Sequence, residues 1–427
     1  MTTVVEEPAH ANRNVPIGYL RSFLTLLVVA HHAALAYHPY APPPAKSLGA
    51  SMIWGAFPVV DAKRLPGLDL FAGLNDVFFM SLMFFVSGIF VWGSLQRKGA
   101  LTFIRDRAVR LVIPFLISAA FLAPLAYYPT YLASSSPSGS FWKQWLRLGS
   151  WPAGPAWFLW VLMVFGCLAA AIFAVNARFG DVLGRITGRL STRPVIYFAV
   201  LVAMSTLAYL PMAAKFDPLS WSSVGPFFVQ TSRILQYALY FFAGIGAGVH
   251  GLGRGLLAAD GRLARRWPIW VIASFAAFAT LIGSVIAIMA SFSKGATPPV
   301  ALLTFANFAF VVACASLSLA ALGIFSRFAR NGSAIGNSLG ANAYGIYLLH
   351  YVFVTWLQFA LLDTQLSAFV KFSTVVTGAA AASWILTAIL RRTSAAARVL
   401  GSETRDKTSL KEDLPPRSVF PAMTNQV

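Results

Sequence analysis

The chain has 427 residues, of which 58% are hydrophobic and only 11% are charged. An average soluble domain is about 25% charged, and a soluble surface with so few charges would not stay dispersed. The composition therefore excludes a soluble enzyme, a nucleic-acid-binding protein and a disordered protein. It predicts an all-α, polytopic integral membrane protein, that is, a bundle of helices that crosses a lipid bilayer several times.

Ten apolar stretches are each long enough to cross a bilayer, which takes about 20 helical residues. They cover residues 20–37, 70–95, 111–128, 156–175, 194–211, 234–249, 268–290, 300–325, 340–362 and 369–390. We therefore predict about ten transmembrane helices in one membrane domain, residues 20–390. A cytoplasmic tail, residues 1–19, precedes it, and a disordered cytoplasmic tail rich in charged residues, Ser, Thr and Pro, residues 391–427, follows it.

The net charge of +19 tests this count, because Lys and Arg collect in cytoplasmic loops. With the N-terminus inside, 24 of the 33 Lys and Arg residues fall on the inner side. The distribution predicts an N-in, C-in, multi-pass protein of the plasma or inner membrane. The first apolar stretch also resembles a cleavable signal peptide, an alternative opposed by its two consecutive histidines, His31 and His32.

Two polar residues in the first helix lie on one face. Arg21 and His32 are eleven residues apart, which is three turns plus about 20°, and are separated by about 16 Å along the axis. His31 is rotated by about 100° from this line. The spacing predicts a cation at the cytoplasmic surface with an imidazole in mid-membrane that can act as a base. A structural role for both, as an anchoring arginine and a packed histidine, is the alternative.

The ninth helix carries Tyr344, Tyr347 and His350 at spacings of three residues, which predicts a polar stripe. The depth of His350 matches that of His32, so the two histidines are expected to meet inside the bundle. They could also ligate a haem, for which nothing else in the sequence argues. The two cysteines lie in separate apolar runs, and we predict neither a disulfide nor a metal site.

Arg107 and Arg110 share one face where the third helix is predicted to begin. Guanidinium groups bind phosphates through paired hydrogen bonds. The pair is therefore a candidate site for a phosphorylated cytoplasmic cofactor. Ordinary positive charge on the inner side is the alternative interpretation.

Together these features resemble the membrane-bound acyltransferase-3 family, whose members O-acylate extracytoplasmic glycans and related acceptors. The residues similar to its motifs are Arg21-x10-His32, Phe84-Phe85-Val86-Ser87-Gly88, Arg107-x-x-Arg110 before Pro114, Trp157-Phe158-Leu159 and the stretch from Tyr344 to His350. The chain departs from the pattern at Ala156, where members often carry a polar residue or His, and at Val352, where they often carry Pro. Asn75-Asp76 is similar to the branch that succinylates periplasmic glucans.

The resemblance implies that cytoplasmic acyl-coenzyme A is the acyl donor, bound by Arg21, Arg107 and Arg110, and that no metal is needed. It implies that the acceptor is a hydroxyl of an extracytoplasmic glycan or lipid-linked saccharide. His32 would deprotonate that hydroxyl or carry the acyl group transiently. His350 and Tyr347 would stabilise the oxyanion or orient His32.

A secondary transporter is the main alternative, with the intramembrane histidines and Asp76 as a proton relay. Neither broken helices nor inverted repeats are evident in the sequence, and these would be typical of that class. A non-catalytic sensor or scaffold is a third possibility.

Overall fold

The computed structural model describes residues 15–49, 55–134 and 139–400. The predicted N-terminal tail, apart from its last five residues, and the part of the C-terminal tail after residue 400 lie outside the described residues. Within them, helices make up almost the whole fold and confirm the all-α class.

Seventeen α-helices and one hairpin follow one another along the described chain. The first seven helices are α1 (Val15–Leu35), α2 (Leu68–Gly88), α3 (Val91–Lys98), α4 (Ala100–Arg107), α5 (Ile113–Ile117), α6 (Ala123–Ala133) and α7 (Phe141–Arg147). Next come α8 (Trp157–Val175), α9 (Phe179–Ser191), α10 (Pro194–Phe216) and the antiparallel strands β1 (Trp221–Val224) and β2 (Phe227–Gln230). The remaining helices are α11 (Ile234–His250), α12 (Arg262–Arg265), α13 (Trp267–Ser293), α14 (Val300–Phe328), α15 (Ala334–Ala360), α16 (Ala368–Leu390) and α17 (Ser394–Val399).

All ten predicted segments are helical in the structure. In the described part of the chain, eight helical segments are long and apolar enough to cross a membrane. The other two predicted segments correspond to α11, which has 17 residues, and α15, which buries polar side chains such as His350 and Gln358. A helix that keeps polar groups inside a bundle is less apolar than one that faces lipid.

Several helices are longer than the apolar stretches that predicted them. α1 begins at Val15 and α15 at Ala334, about five residues before the predicted starts. The predicted third helix is the middle of a continuous helical segment, Ala100–Ala133. An apolar window finds only the stretch suited to hydrocarbon, whereas the hydrogen-bonded helix continues into the polar interface. Arg107 and Arg110 therefore lie inside this segment and not at its start, which corrects the prediction.

Two π-helical turns interrupt the segment from Ala100 to Ala133, at Ala108–Val112 and Ser118–Leu122. Pro114 follows the first turn and has no N–H to bond the carbonyl four residues earlier, that of Arg110. A local change to a wider turn is a common response to such a missing bond.

Helix α15 donates hydrogen bonds to two carbonyls that prolines in the Ala100–Ala133 segment, Pro114 and Pro129, leave free. The hydroxyl of Tyr344 donates a hydrogen bond to the Arg110 carbonyl. Further along α15, the indole N–H of Trp356 donates to the carbonyl of Leu125 over 2.9 Å. Pro129 leaves this carbonyl without its usual partner. The proline positions thus dock α15 against the α4–α6 segment.

Close backbone contact joins α2 to α11. A Cβ added at Gly244 would lie 2.0 Å from the carbonyl oxygen of Phe85, and one at Gly248 would lie 1.9 Å from that of Ile89. Small residues allow membrane helices to approach in this way. Helix α1 lies near this pair and packs against α2, α14, α15 and α16.

Ion pairs fasten the loops to the bundle. Lys371 at the start of α16 donates to Asp61 over 2.7 Å and to the carbonyl of Leu362 over 3.0 Å, and the two charged side chains are almost fully buried. Asp260 is exposed by contrast, and the hydrogen bond from Arg330 lowers the pKa of its carboxyl group.

The first residues of the predicted disordered tail contain the short helix α17, which packs beside the first π-helical turn. This differs from the disorder predicted for residues 391–427. The sequence Ser-Ala-Ala-Ala-Arg-Val is rich in the residue with the highest helix propensity, which explains the difference.

Candidate active site

The two predicted histidines meet. Nε2 of His350 lies 3.3 Å from Nδ1 of His32, and the side chain of His350 is fully buried. His32 is three residues before the end of α1 at Leu35, about 5 Å along the axis. The pair therefore lies near the C-terminal end of α1.

The carbonyl groups beside the two rings determine which nitrogen carries a hydrogen. Nδ1 of His32 lies 2.8 Å from the Val28 carbonyl, and Nδ1 of His350 lies 2.7 Å from the Tyr347 carbonyl. A carbonyl only accepts, so both Nδ1 atoms donate, and in a neutral ring Nε2 then accepts. The one hydrogen on Nδ1 of His32 is therefore shared between two acceptors, the nearer Val28 carbonyl and the more distant Nε2 of His350. The lone pair on Nε2 of His32 is left for chemistry.

Three further residues hold His32 from the side on which α1 ends. The ring of Tyr351 packs edge-on against that of His32, with centroids 5.0 Å apart. The Tyr351 hydroxyl lies 3.4 Å from that of Tyr127, which donates to the Gly55 carbonyl in the loop above. Gln358 donates to the backbone carbonyl of His32 over 3.0 Å. These contacts fix both the backbone and the ring of His32.

The arginines gather at the other end of α15. Arg21 donates to the carbonyl of Gly340 over 3.0 Å, and Tyr344, one turn later, binds the carbonyl of Arg110. Arg107 stacks over a phenylalanine ring at 5.1 Å in the same region. Arg21 and His32 thus both face α15, as their spacing predicts. The π-helical turn that carries Arg110 contacts α15 one helical turn further on, through Tyr344. We call this region the arginine end.

A fourth arginine, absent from the sequence prediction, joins the arginine end. Arg391 donates to the carbonyl of Ala341 over 2.7 Å and to the side-chain oxygen of Asn342 over 3.0 Å. Its position directly after the last apolar stretch resembles ordinary positive charge at a membrane surface. Only the return of α16 to the start of α15 brings it beside Arg21.

The three residues of the predicted polar stripe, Tyr344, Tyr347 and His350, do not all face the same neighbours. Tyr347 faces the turn before α8. Its hydroxyl donates to the carbonyl of Pro155, in the short turn before α8. Residues six apart on a helix are about 120° apart around the axis, so Tyr344 and Tyr347 face the α4–α8 side whereas His350 faces α1. The hydroxyl of Tyr347 is occupied by this carbonyl, which suits a positioning residue better than an oxyanion donor.

A narrow cleft separates this face of α15 from the second π-helical turn. Its cavity volume is about 20 Å³, and it is open on one side. Small residues line most of it: Ser118, Ala123, Ala126, Ala153, Ala156 and Val352. Tyr347 and Tyr351 complete the wall nearest the histidines. We call it the alanine cleft, and both departures from the family pattern, Ala156 and Val352, lie in it.

Two of the sequence motifs pack the bundle together. Phe84 lies against Phe158 with ring centroids 4.6 Å apart and against Tyr237 at 5.0 Å. Gly88 meets the backbone of Phe241, where an added Cβ would lie 2.1 Å from its carbonyl oxygen. The Phe-rich Ser-Gly motif and the Trp-Phe-Leu motif therefore position α2, α8 and α11.

His31 lies beside the histidine pair without bonding to His350, and Asp76 has a different partner. The ring of His31 lies edge-on to that of His32, with centroids 5.4 Å apart. His31 packs on the ring of Phe79 at 5.4 Å. Asp76 forms an ion pair with the buried Arg233 over 2.7 Å, and that guanidinium lies 4.6 Å above the ring of Phe310. Sequence reasoning missed Arg233 and Lys371, because each lies at the end of an apolar stretch, where a surface cation is expected.

Fold and site together define a multi-pass membrane protein whose helices enclose ionisable side chains. The family model described as an acyltransferase domain matches residues 15–389. The chain therefore belongs to the acyltransferase-3 family and is an acyltransferase. The comparisons found no matching curated protein and no matching solved structure. Membership of an enzyme family contradicts the transporter and scaffold alternatives.

Proposed function

We propose that the protein moves a short acyl group, acetyl or succinyl, from cytoplasmic acyl-coenzyme A to a hydroxyl of an extracytoplasmic glycan or lipid-linked saccharide. One observation carries the proposal. The arginine end and the histidine pair both contact one helix, α15. Their contact points on it, Gly340 and His350, are about 15 Å apart along its axis. An elongated donor can therefore be bound by its phosphates at one point and react at the other.

The arginine end suits the polyanionic part of coenzyme A. Guanidinium groups bind phosphates through charge-assisted, paired hydrogen bonds. Arg21 and Arg110 have exposed side chains, and Arg107 is half-buried beside them. The charge distribution of the loops predicts that this end faces the cytoplasm, where acyl-coenzyme A is made.

The histidine pair suits general base catalysis. Nε2 of His32 accepts the proton of the acceptor hydroxyl while the hydroxyl oxygen attacks the thioester carbonyl carbon. The C–S bond of the tetrahedral intermediate then breaks, and the coenzyme A thiolate takes the proton back from His32. His350 accepts from Nδ1–H of His32 and stabilises the imidazolium that forms in between. Transient acylation of His32 itself is the alternative role.

The location of His32 near the outer end of α1 fits an acceptor that arrives from outside. The loop above it contributes the Gly55 carbonyl that anchors Tyr127 and Tyr351. We propose that the acceptor reaches His32 past this loop in the plasma or inner membrane.

A pair of adjacent histidines provides the test. We expect His32→Ala to lower the transfer of labelled acetyl groups from acetyl-coenzyme A to the glycan fraction of membrane vesicles about 10²- to 10⁴-fold. His31→Ala is the matched control. The ring of His31 packs against Phe79 and against His32 but forms no hydrogen bond to His350 in the described part of the chain, so its loss should lower the activity far less than that of His32. Undiminished transfer by His32→Ala at equal insertion would contradict the proposal.

The donor site is tested separately. We expect Arg107→Ala to raise the KM for acyl-coenzyme A roughly tenfold, because it removes a charge-assisted phosphate contact. Glycans from a deletion strain, compared by mass spectrometry with those of the parent, would identify the acyl group and the acceptor. An unchanged donor KM in Arg107→Ala would reject the arginine end as the phosphate site.

A further inference from the structure

The alanine cleft lies between the two parts of the proposed site. Along α15, Tyr344 binds the carbonyl of Arg110 at the arginine end, and Tyr351 packs on the ring of His32. Tyr347 lies between them and lines the cleft, as does Tyr351. A thioester that stretches from the arginines to His32 would therefore pass along the cleft.

Ser118 carries a buried hydroxyl with no hydrogen-bond partner in the described part of the chain. Its side chain is 3% exposed and lines the cleft. Several other buried helical serines, such as Ser274 and Ser383, donate to the carbonyl four residues earlier, whereas Ser205 in α10 lacks a partner as Ser118 does. A buried hydroxyl without a partner is unfavourable, so a ligand oxygen in the cleft would supply the bond that Ser118 lacks.

Most of the other described residues that line the cleft have small side chains, and none is charged. Ala123, Ala126, Ala153 and Ala156 leave room beside the two tyrosine rings. None of the described residues that line the cleft carries a charge. A terminal carboxylate placed here would be buried without a partner, which is strongly unfavourable.

We propose that the alanine cleft binds the acyl group of the donor, that the Ser118 hydroxyl donates a hydrogen bond to the acyl oxygen, and that the cleft selects a short, uncharged acyl group. This inference rests on the proposed function and narrows its donor from acetyl or succinyl to acetyl. The small volume of the cleft limits the length of the acyl chain, and the lack of charge in its lining excludes the succinyl group.

Binding of donors to the purified full-length protein tests the proposal. The dissociation constants of coenzyme A, acetyl-coenzyme A, hexanoyl-coenzyme A and succinyl-coenzyme A would be measured by titration calorimetry in detergent. We expect acetyl-coenzyme A to bind about tenfold more tightly than coenzyme A, from one buried methyl group and one hydrogen bond. The succinyl and hexanoyl thioesters should gain nothing over coenzyme A. Tighter binding of either than of the acetyl thioester would overturn the proposal.

Two variants locate the preference in the cleft. Ala156→Leu should abolish the acetyl preference and leave the affinity for coenzyme A unchanged. Ser118→Ala, which removes one oxygen atom and preserves the fold, should reduce the preference about fivefold. Ala279→Leu, on the exposed face of α13, is the matched control and should behave as the unmodified chain.

The results separate this inference from the proposed function. An acetyl preference that survives in both Ala156→Leu and Ser118→Ala would overturn the cleft assignment alone. Absence of binding by coenzyme A and every thioester, or equal binding by Arg107→Ala, would contradict the donor site and the proposed function with it.

Discussion

His32 and His350 have the same side chain, but only one of them has a ring nitrogen that is free to accept a proton. The Tyr347 carbonyl fixes the hydrogen of His350 on Nδ1, so that its Nε2 accepts, and the Val28 carbonyl fixes that of His32 on Nδ1. Only His32 is left with a lone pair that is not directed at protein. The roles of base and positioning residue therefore follow from two backbone carbonyls.

This division of roles predicts the effect of changing His350. We expect His350→Ala to lower kcat for acyl transfer roughly 10²-fold, because a small misplacement of the reacting ring has a cost of that order, while the KM for acyl-coenzyme A changes little. His350→Gln can still accept from Nδ1–H of His32 and should recover part of kcat. Steady-state kinetics on equal amounts of inserted protein provide the measurement. A purely structural His350 would show no difference between the alanine and glutamine variants.

The relative orientation of residues on one helix was predictable from the sequence. Which residues of other helices contact them was not. The eleven-residue spacing predicts that Arg21 and His32 face one neighbour, and both contact α15. Tyr351 and Gln358 also hold His32, but their positions in an apolar helix are ordinary for packing residues. Which side chain reaches His32 depends on how α15 is rotated against α1.

Prolines and glycines determine how the helices dock. Pro114 and Pro129 free the carbonyls of Arg110 and Leu125, and α15 supplies a donor to each. The glycines of α11 let it approach the backbone of α2. The prolines are visible in the sequence as points where a carbonyl needs another partner, although the helix that supplies the partner is not.

The α2–α11 contact predicts contrasting effects of two glycine substitutions. Gly244→Ala should destabilise the protein by about 3 kcal/mol, because the new Cβ would lie 2.0 Å from the Phe85 carbonyl oxygen. Gly283→Ala in α13 has no atom within 4 Å of the added Cβ and should be neutral or stabilising by up to about 1 kcal/mol. Thermal unfolding in detergent measures both. Equal melting temperatures would show that α2 and α11 are further apart than described.

On the scale of the whole molecule, the distribution of charge predicts the orientation in the bilayer. In a background of Cys167→Ala and Cys314→Ala, single cysteines at Lys46 and Asn331 would report on opposite sides of the membrane. A maleimide that does not cross membranes should label Lys46→Cys in intact spheroplasts and Asn331→Cys only after lysis, because the loop charges favour N-in, C-in. The reverse pattern would place the arginine end outside and contradict a cytoplasmic donor.

Buried ion pairs link parts of the molecule that are far apart in sequence. Lys371 binds Asp61 across 310 residues and ties the loop between α1 and α2 to α16. Arg233 binds Asp76 across 157 residues and ties the start of α11 to α2. A charge removed from water needs such a partner, but the sequence does not say which carboxylate supplies it.

Composition, apolar stretches and loop charges by themselves determined an all-α membrane protein with helices at all ten predicted segments, and the spacing of its motifs identified the acyltransferase family. These properties depend on the surrounding lipid and on residues within one helix, so they can be derived from the order of residues alone. The tertiary structure decided which nitrogen of the histidine pair is free, that a fourth arginine joins the arginine end, and that small residues from three segments enclose one cleft. Those features depend on the distance and rotation between helices, which packing of the entire bundle sets.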